Sequence, residues 1–272
     1  MRVRVLTENT VAEGVPVAEH GLSLWIEAGD RRVLFDTGQG EALPANAEAL
    51  GVDLTQTTDI VLSHGHYDHG GGLLHALQSS PHARVFAHPM CTIRRFAVRP
   101  GAKARDIGLD PATVAALKAR ATWVSRPVAL ADGVLLTGTV ARLWCPELRE
   151  TGLYIDGRGT CSDPVVDEIA LVAAAGTERL VVVGCAHPGV VNMVRCALAL
   201  APGGTRITVI GGTHLRAAEP ALVAATVEGL KELGVTTVAP CHCTGAQAAG
   251  VFAESFGDAC LRVSAGTELT IG

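Results

Sequence analysis

The sequence predicts a mixed α/β (α+β) fold, a four-layer αββα sandwich of two mixed β-sheets. Two observations carry that prediction. Strand-like and helix-like stretches alternate both in the first hundred residues and again after residue 167, the pattern of strands backed by helices rather than of a bundle or a barrel. Each half then makes a sheet with helices on one side and an apolar face on the other, and two such faces bury one another when the sheets stack. With 48% hydrophobic residues, the 272-residue chain has enough apolar material for one large domain over 1–272.

In order, residues 1–6 alternate charged and apolar side chains like a first strand and lack the continuous apolar core of a signal peptide. Residues 22–28 and 31–36 read as a hairpin about a Gly29-Asp30 turn. A helix over 41–50, a strand at Ile60, a helix beginning near Gly71 and a strand over 84–87 follow. Residues 91–166, rich in Pro, Gly and Arg, read as an irregular insert or lid with one helix over 111–120. Beyond it come paired strands over 168–173 and 179–183, a helix over 188–200, a strand over 206–210 and a helix over 219–233. A strand over 235–239, a helix over 244–256 and a closing strand pair near Leu261 and Leu269 complete the chain.

The net charge of −5 argues against general nucleic-acid binding. The apolar runs at 169–175 and 180–183 are interrupted by Gly176, Glu178 and Arg179, so no stretch reaches membrane-spanning length. Eight cysteines without a secretion signal fit reduced thiols in a cytoplasmic protein. Cys185, Cys196 and Cys260 lie in apolar segments as small core fillers, and Cys241 and Cys243 flank His242 at a spacing that is not that of a zinc finger. Oligomeric state is not legible.

The densest chemistry is His64-Gly-His66-Tyr-Asp68-His69, three imidazoles and a carboxylate directly after the strand-like run 59–63. Such a run is hard to bury unless a divalent ion satisfies the ring nitrogens. His64 and His66, two apart, point to one side of an extended backbone; Asp68 and His69, a further turn on, face a second ion beside the first. His187, His214 and His242 each stand just past another strand-like run, so ligands from several strand ends converge on one edge of the sandwich. Arg94, Arg95, Arg99, Lys103 and Arg105 form a cationic stretch that is either a solvated loop or a wall binding an anionic substrate, since guanidinium forks match phosphate oxygens.

Together the Phe35-Asp36-Thr37-Gly38 segment, the His64-x-His66-x-Asp68-His69 motif and the isolated His187 and His242 resemble the metallo-β-lactamase superfamily over nearly the whole chain. The resemblance implies that fold, with His64, His66 and His187 on a first metal and Asp68, His69 and His242 on a second. Asp36 would orient the histidine turn without touching metal. The segments 62–73, 184–189, 211–215 and 240–245 look like one subgroup, usually named for a dihydropterin-methyl ribofuranosylaminobenzene-phosphate synthase of methanopterin biosynthesis. One departure stands out: after the strand ending at Ile210, where the superfamily places a bridging carboxylate, the chain reads Gly211-Gly212-Thr213-His214. His214 is then a neutral substitute ligand, a proton donor or a substrate contact, and the site carries about one more positive unit.

These features imply a metal-dependent hydrolase in which a metal-bound hydroxide attacks a small anionic, phosphorylated substrate. Asp68 would orient the hydroxide and His214 protonate the leaving group. Zn²⁺ suits nitrogen and oxygen donors, two ions being expected, with Fe²⁺ or Mn²⁺ as alternatives. The subgroup resemblance leaves open a transferase displacing pyrophosphate from a dihydropterin-methyl pyrophosphate; a non-catalytic metal sensor is the third reading.

Overall fold

The structure, a computed structural model, describes residues 1–144 and 152–272. β1 (Arg2–Thr7), β2 (Ser23–Ala28) and β3 (Arg31–Phe35) run antiparallel, and Ala28 opposite Arg31 leaves Gly29 and Asp30 alone to turn the chain. Gly29 takes a φ of +59°, the left-handed conformation that such two-residue turns need. After α1 (Ala42–Ala49), β4 (Asp59–Val61) joins β3 in parallel. The short α2 (Tyr67–Gly70) and α3 (Leu73–Ser79) lead to β5 (Arg84–Ala87), parallel to β4.

The segment expected to be irregular contains more structure than its sequence advertises. β6 (Phe96–Ala97) pairs with β7 (Arg105–Asp106), and α4 (Pro111–Arg120) starts where Asp110 accepts from the backbone N–H of Ala112 at 2.8 Å and of Thr113 at 3.1 Å. β8 (Ala121–Trp123) extends the first sheet beside β5. β9 (Val128–Ala131) and β10 (Val134–Leu136) belong to the second sheet, and β11 (Leu153–Tyr154) returns to β6. Residues 145–151 of the expected insert lie outside the described residues.

β12 (Leu171–Ala175) and β13 (Glu178–Val183) are antiparallel, and α5 (Val190–Leu200), β14 (Arg206–Gly212), α6 (Pro220–Glu232), β15 (Thr237–Cys241) and α7 (Ala246–Phe256) follow, with β13, β14 and β15 parallel. β16 (Glu268–Thr270) closes the first sheet against β1. The sheet orders are β16-β1-β2-β3-β4-β5-β8 and β15-β14-β13-β12-β10-β9, with β11-β6-β7 as a small third sheet.

Two expectations need correction. The closing strand pair is a single strand: Leu261 follows an isolated bridge between Val238 and Cys260 instead of forming a partner for β16. Nor does each half of the chain keep to its own sheet, because β16 crosses back to cover the edge of β1 while β9 and β10 extend the second sheet from the middle of the chain.

Alternation along the strands sorts the side chains into layers. Val33 and Phe35 of β3 meet Leu180 and Val182 of β13 between the sheets, whereas Leu34 turns out toward Leu43 of α1 and Leu73 of α3. On the opposite outer face Val181 and Val183 pack with Val194 of α5, Val227 of α6 and Phe252 of α7. The order is therefore helix, sheet, sheet, helix. β3 and β4 are parallel, as are β13, β14 and β15, so the residues just past their C-terminal ends gather at one edge of the sandwich.

Candidate metal centre

From the first sheet the chain delivers one continuous turn. Asp36, just past β3 and fully buried with a φ of 58°, accepts from the N–H and the Oγ of Ser63, each at 2.7 Å, and from His69 Nδ1 at 2.7 Å. Asp167 Oδ2 accepts from the N–H of Gly65 at 2.8 Å, and a Cβ at Gly65 would overlap the Cys91 backbone. These bonds fix a turn that places His64 Nε2 2.9 Å from His66 Nδ1.

The second sheet delivers its side chains singly. Glu168, fully buried, takes the N–H groups of Cys185 at 2.7 Å, of Ala186 and of His187 at 2.6 Å, which holds the tight turn past β13. Glu8 Oε1 accepts from the N–H of His242 at 2.8 Å, and Asn9 donates to the His242 carbonyl at 2.9 Å. Asp36, Ala186, His214 and His242 all have positive φ, a costly conformation for residues with side chains that persists where surrounding structure enforces it.

The two contributions meet. His69 Nε2 lies 3.1 Å from His242 Nε2 and 3.2 Å from Cys185 Sγ, and His242 Nε2 is 3.5 Å from Asp68 Oδ2. The His187 ring centroid is 4.9 Å from that of His64, 5.1 Å from that of His66 and 4.3 Å from that of His214. Exposed His20, not foreseen from the sequence, stacks on His242 with centroids 5.3 Å apart and reaches Asp68 at 3.2 Å.

Burial pushes His64 and His66 well below the usual imidazole range, with neighbouring rings adding to it, and burial also takes His242 down to about 4. Burial pulls His69 the same way, but the charge and hydrogen bond of Asp36 outweigh it and hold that ring at about 9. Asp68 sits well below the carboxylate range, since the His20 hydrogen bond and the surrounding imidazoles overcome its desolvation. Burial therefore favours the neutral, electron-donating form of His64, His66 and His242, whereas Asp36 favours the protonated form of His69. Nitrogen donors bound to one tetrahedral ion sit roughly 3.3 Å apart, close to the spacings found among His69, His242 and Cys185. The residues present fit divalent ions: among the described residues four groups bring their donor atoms within 4.8 Å of one another, namely His64, Cys185 and His187; His69, Cys185 and His242; Cys185, His214 and Cys243; and His20, Asp68 and His242.

The sequence pattern of the metallo-beta-lactamase superfamily matches residues 17–90. The 7,8-dihydropterin-6-methyl-4-(beta-D-ribofuranosyl)-aminobenzene-5'-phosphate synthase of Methanocaldococcus jannaschii is 30% identical, over 98% of this chain and 95% of its own length. The chain belongs to the metallo-beta-lactamase superfamily. Within the superfamily, the crystal structure of Tm1679, a metal-dependent hydrolase, superposes with a TM-score of 0.84 at 30% identity, over 99% of this chain and 98% of that one. The metallo-beta-lactamase fold protein YhfI from Bacillus subtilis shares the fold at a TM-score of 0.54 and 12% identity, over 100% and 98% of the two chains.

The strand ends open onto a cleft of ≈ 320 Å³ that His66, Asp68, His187, His214 and His242 line together with Arg99, Arg105 and Arg216. Arg105 Nη1 donates to Tyr67 Oη at 3.2 Å, and Arg216 Nη2 donates to the His242 carbonyl at 3.2 Å. The cationic stretch read from the sequence divides. Arg95 is not a substrate-facing cation: it is fully buried, donates to both oxygens of Asp167 at 2.9 and 2.6 Å, and lies 3.0 Å from Asp163. Arg94 pairs with Asp106 at 2.9 Å over the Phe96 ring, and Lys103 is exposed and does not line the cleft.

Glu8, Glu168, Asp167, His20 and Arg216 escaped the sequence reading. The available signal was weak: Asp167 and Glu168 are adjacent acids immediately before an apolar strand, a place where burial demands a partner. Cys185 was read as core filler, yet it lines the cleft and lies among nitrogen donors.

Proposed function

We propose that the protein is a metal-dependent hydrolase of a small phosphorylated molecule, working with two divalent ions, Zn²⁺ foremost and Fe²⁺ or Mn²⁺ as alternatives. The observation that carries this reading is the convergence of Arg99 and Arg105, from one stretch of chain, and Arg216, from a distant one, on the cleft that reaches the histidine cluster. His64, His66 and His187 would hold one ion and Asp68, His69 and His242 the other. When bound, such ions supply Lewis acidity and make water nucleophilic near neutral pH.

The chain's own residues do the remaining work. The three guanidinium groups grip phosphate oxygens, and Arg216 is steadied for this by the His242 carbonyl. Ile107, Leu153 and the Tyr67 ring form the less polar wall against which the rest of the substrate lies and from which water is displaced. His214, on the cleft surface beside His187, gives a proton to the departing oxygen. The 30% identity to the dihydropterin-linked synthase favours a second reading, in which the same arginines hold a pyrophosphate while an arylamine ribose phosphate displaces it.

Metal-reconstituted protein offered phosphodiesters, phosphomonoesters and a dihydropterin-methyl pyrophosphate separates the two. Phosphate-ester cleavage with water alone supports the hydrolase, whereas pyrophosphate release only in the presence of the arylamine establishes the transferase. Metal loading without turnover of any of them sinks both and leaves a sensor.

A further inference from the structure

The chain reads Gly211-Gly212-Thr213-His214 past β14, where the resemblance implies a bridging carboxylate, and two sulfurs stand near that strand end. A Cβ at Gly212 would overlap Cys243 Sγ, so that strand end is side-chain-free and a sulfur stands against it. Beside it is Cys185. Its Sγ is 3.2 Å from His69 Nε2, and it lies within 4.8 Å of the donor atoms of His64 and His187 on one side and of His69 and His242 on the other. Cys91 and Cys241, also buried, pack inside apolar clusters, whereas Cys185 and Cys243 belong to none of them, and of these two it is Cys185 that is grouped with both imidazole sets. A sulfur placed between two sets of nitrogen donors, with its backbone N–H clamped by Glu168 at 2.7 Å, is positioned as a ligand is positioned.

We infer that Cys185 supplies, as a thiolate, the bridging anion that the missing carboxylate would otherwise provide. The inference rests on the two-ion reading above. As the sulfur–metal bond forms, the thiol proton leaves to solvent, and no oxidant or reductant takes part. The thiolate restores the negative unit that Gly211-Gly212-Thr213-His214 withholds, so two divalent ions are offset by Asp68 and Cys185 together. A sulfur in this place also tilts the site toward softer ions, Zn²⁺ or Fe²⁺ over Mn²⁺.

Cobalt-substituted full-length protein tests this without reference to turnover. Two bound cobalt ions with a thiolate-to-metal charge-transfer band in the near ultraviolet are expected, the band vanishing in Cys185→Ala and persisting in Cys243→Ala. Cys185→Ala should also bind one ion at least about tenfold more weakly. A wild-type spectrum without the band despite two bound ions overturns the inference and leaves the two-ion reading intact. Transfer of the dependence to Cys243 overturns it as well. Failure of the wild-type protein to bind any divalent ion overturns both.

Discussion

The two sheets feed the same site in opposite ways. His64, His66, Asp68 and His69 come from one six-residue turn past β4, whereas His187, His214 and His242 each come from a different strand end. The turn is local, and its geometry is fixed once Asp36 has collected Ser63 and His69. The three single imidazoles depend on the register of the parallel strands β13, β14 and β15, and His187 and His242 also on separate carboxylates, Glu168 and Glu8, behind them. A compact motif thus stands or falls as a unit, while a distributed one can be weakened one member at a time.

The largest effect should follow from Asp36→Ala, which strips a fully buried acceptor from Ser63 and His69 together. A loss of about 3–5 kcal/mol in unfolding free energy is expected, with both ions lost. If denaturant titration shows less than 1 kcal/mol, roughly the worth of a single ordinary hydrogen bond, the turn is not held as described. Glu168→Gln should be milder, about 1–3 kcal/mol, because an amide oxygen still accepts some of the three N–H groups. Metal affinity should fall roughly 10–100-fold as Cys185 and His187 loosen; equal loss in both variants, measured by competition with a chelator, would erase the contrast between the two regions.

The pH dependence of the metal-free protein sharpens the comparison further. His64, His66 and His242 have depressed folded values, so the unfolded chain takes up protons first and stability drops as pH falls below about 6.5. His69, held at about 9, acts in reverse: its contribution is complete below about pH 6.5 and disappears as pH rises through 9. Stability should peak near neutrality and fall more steeply in acid, by up to about 1.4 kcal/mol per pH unit for each proton. His69→Asn should remove the alkaline limb and His242→Asn only part of the acid one; denaturant midpoints across the pH range decide. The smallest structural effect belongs to Arg216→Ala, where stability should change by less than about 0.5 kcal/mol while KM for a phosphorylated substrate rises. An unchanged KM would remove Arg216 from substrate binding.

The same contrast governs what could be read from the chain. The 64–69 turn, the alternating strands and the helix over 111–120 were legible because their signals are local. β6, β7 and β11 were not, since two-residue strands leave no periodicity to detect. Arg95 looked like one cation among five because its partners Asp163 and Asp167 stand about seventy positions away. Glu8 and Glu168 carry no motif: a carboxylate that gathers backbone N–H groups is recognisable only when the turn it gathers is known. Cys185 followed the ordinary expectation for cysteine in an apolar run, and only the meeting of the sheets puts imidazoles around it.

Asp167 touches three stretches at once: it precedes β12, receives the Gly65 N–H from the histidine turn, and grips Arg95 beside β6. Floor and side wall of the cleft are thereby cross-braced through a single carboxylate with almost no exposure to water. That corner of the cleft is rigid, and the histidine turn cannot shift there without first tearing an arginine from the interior.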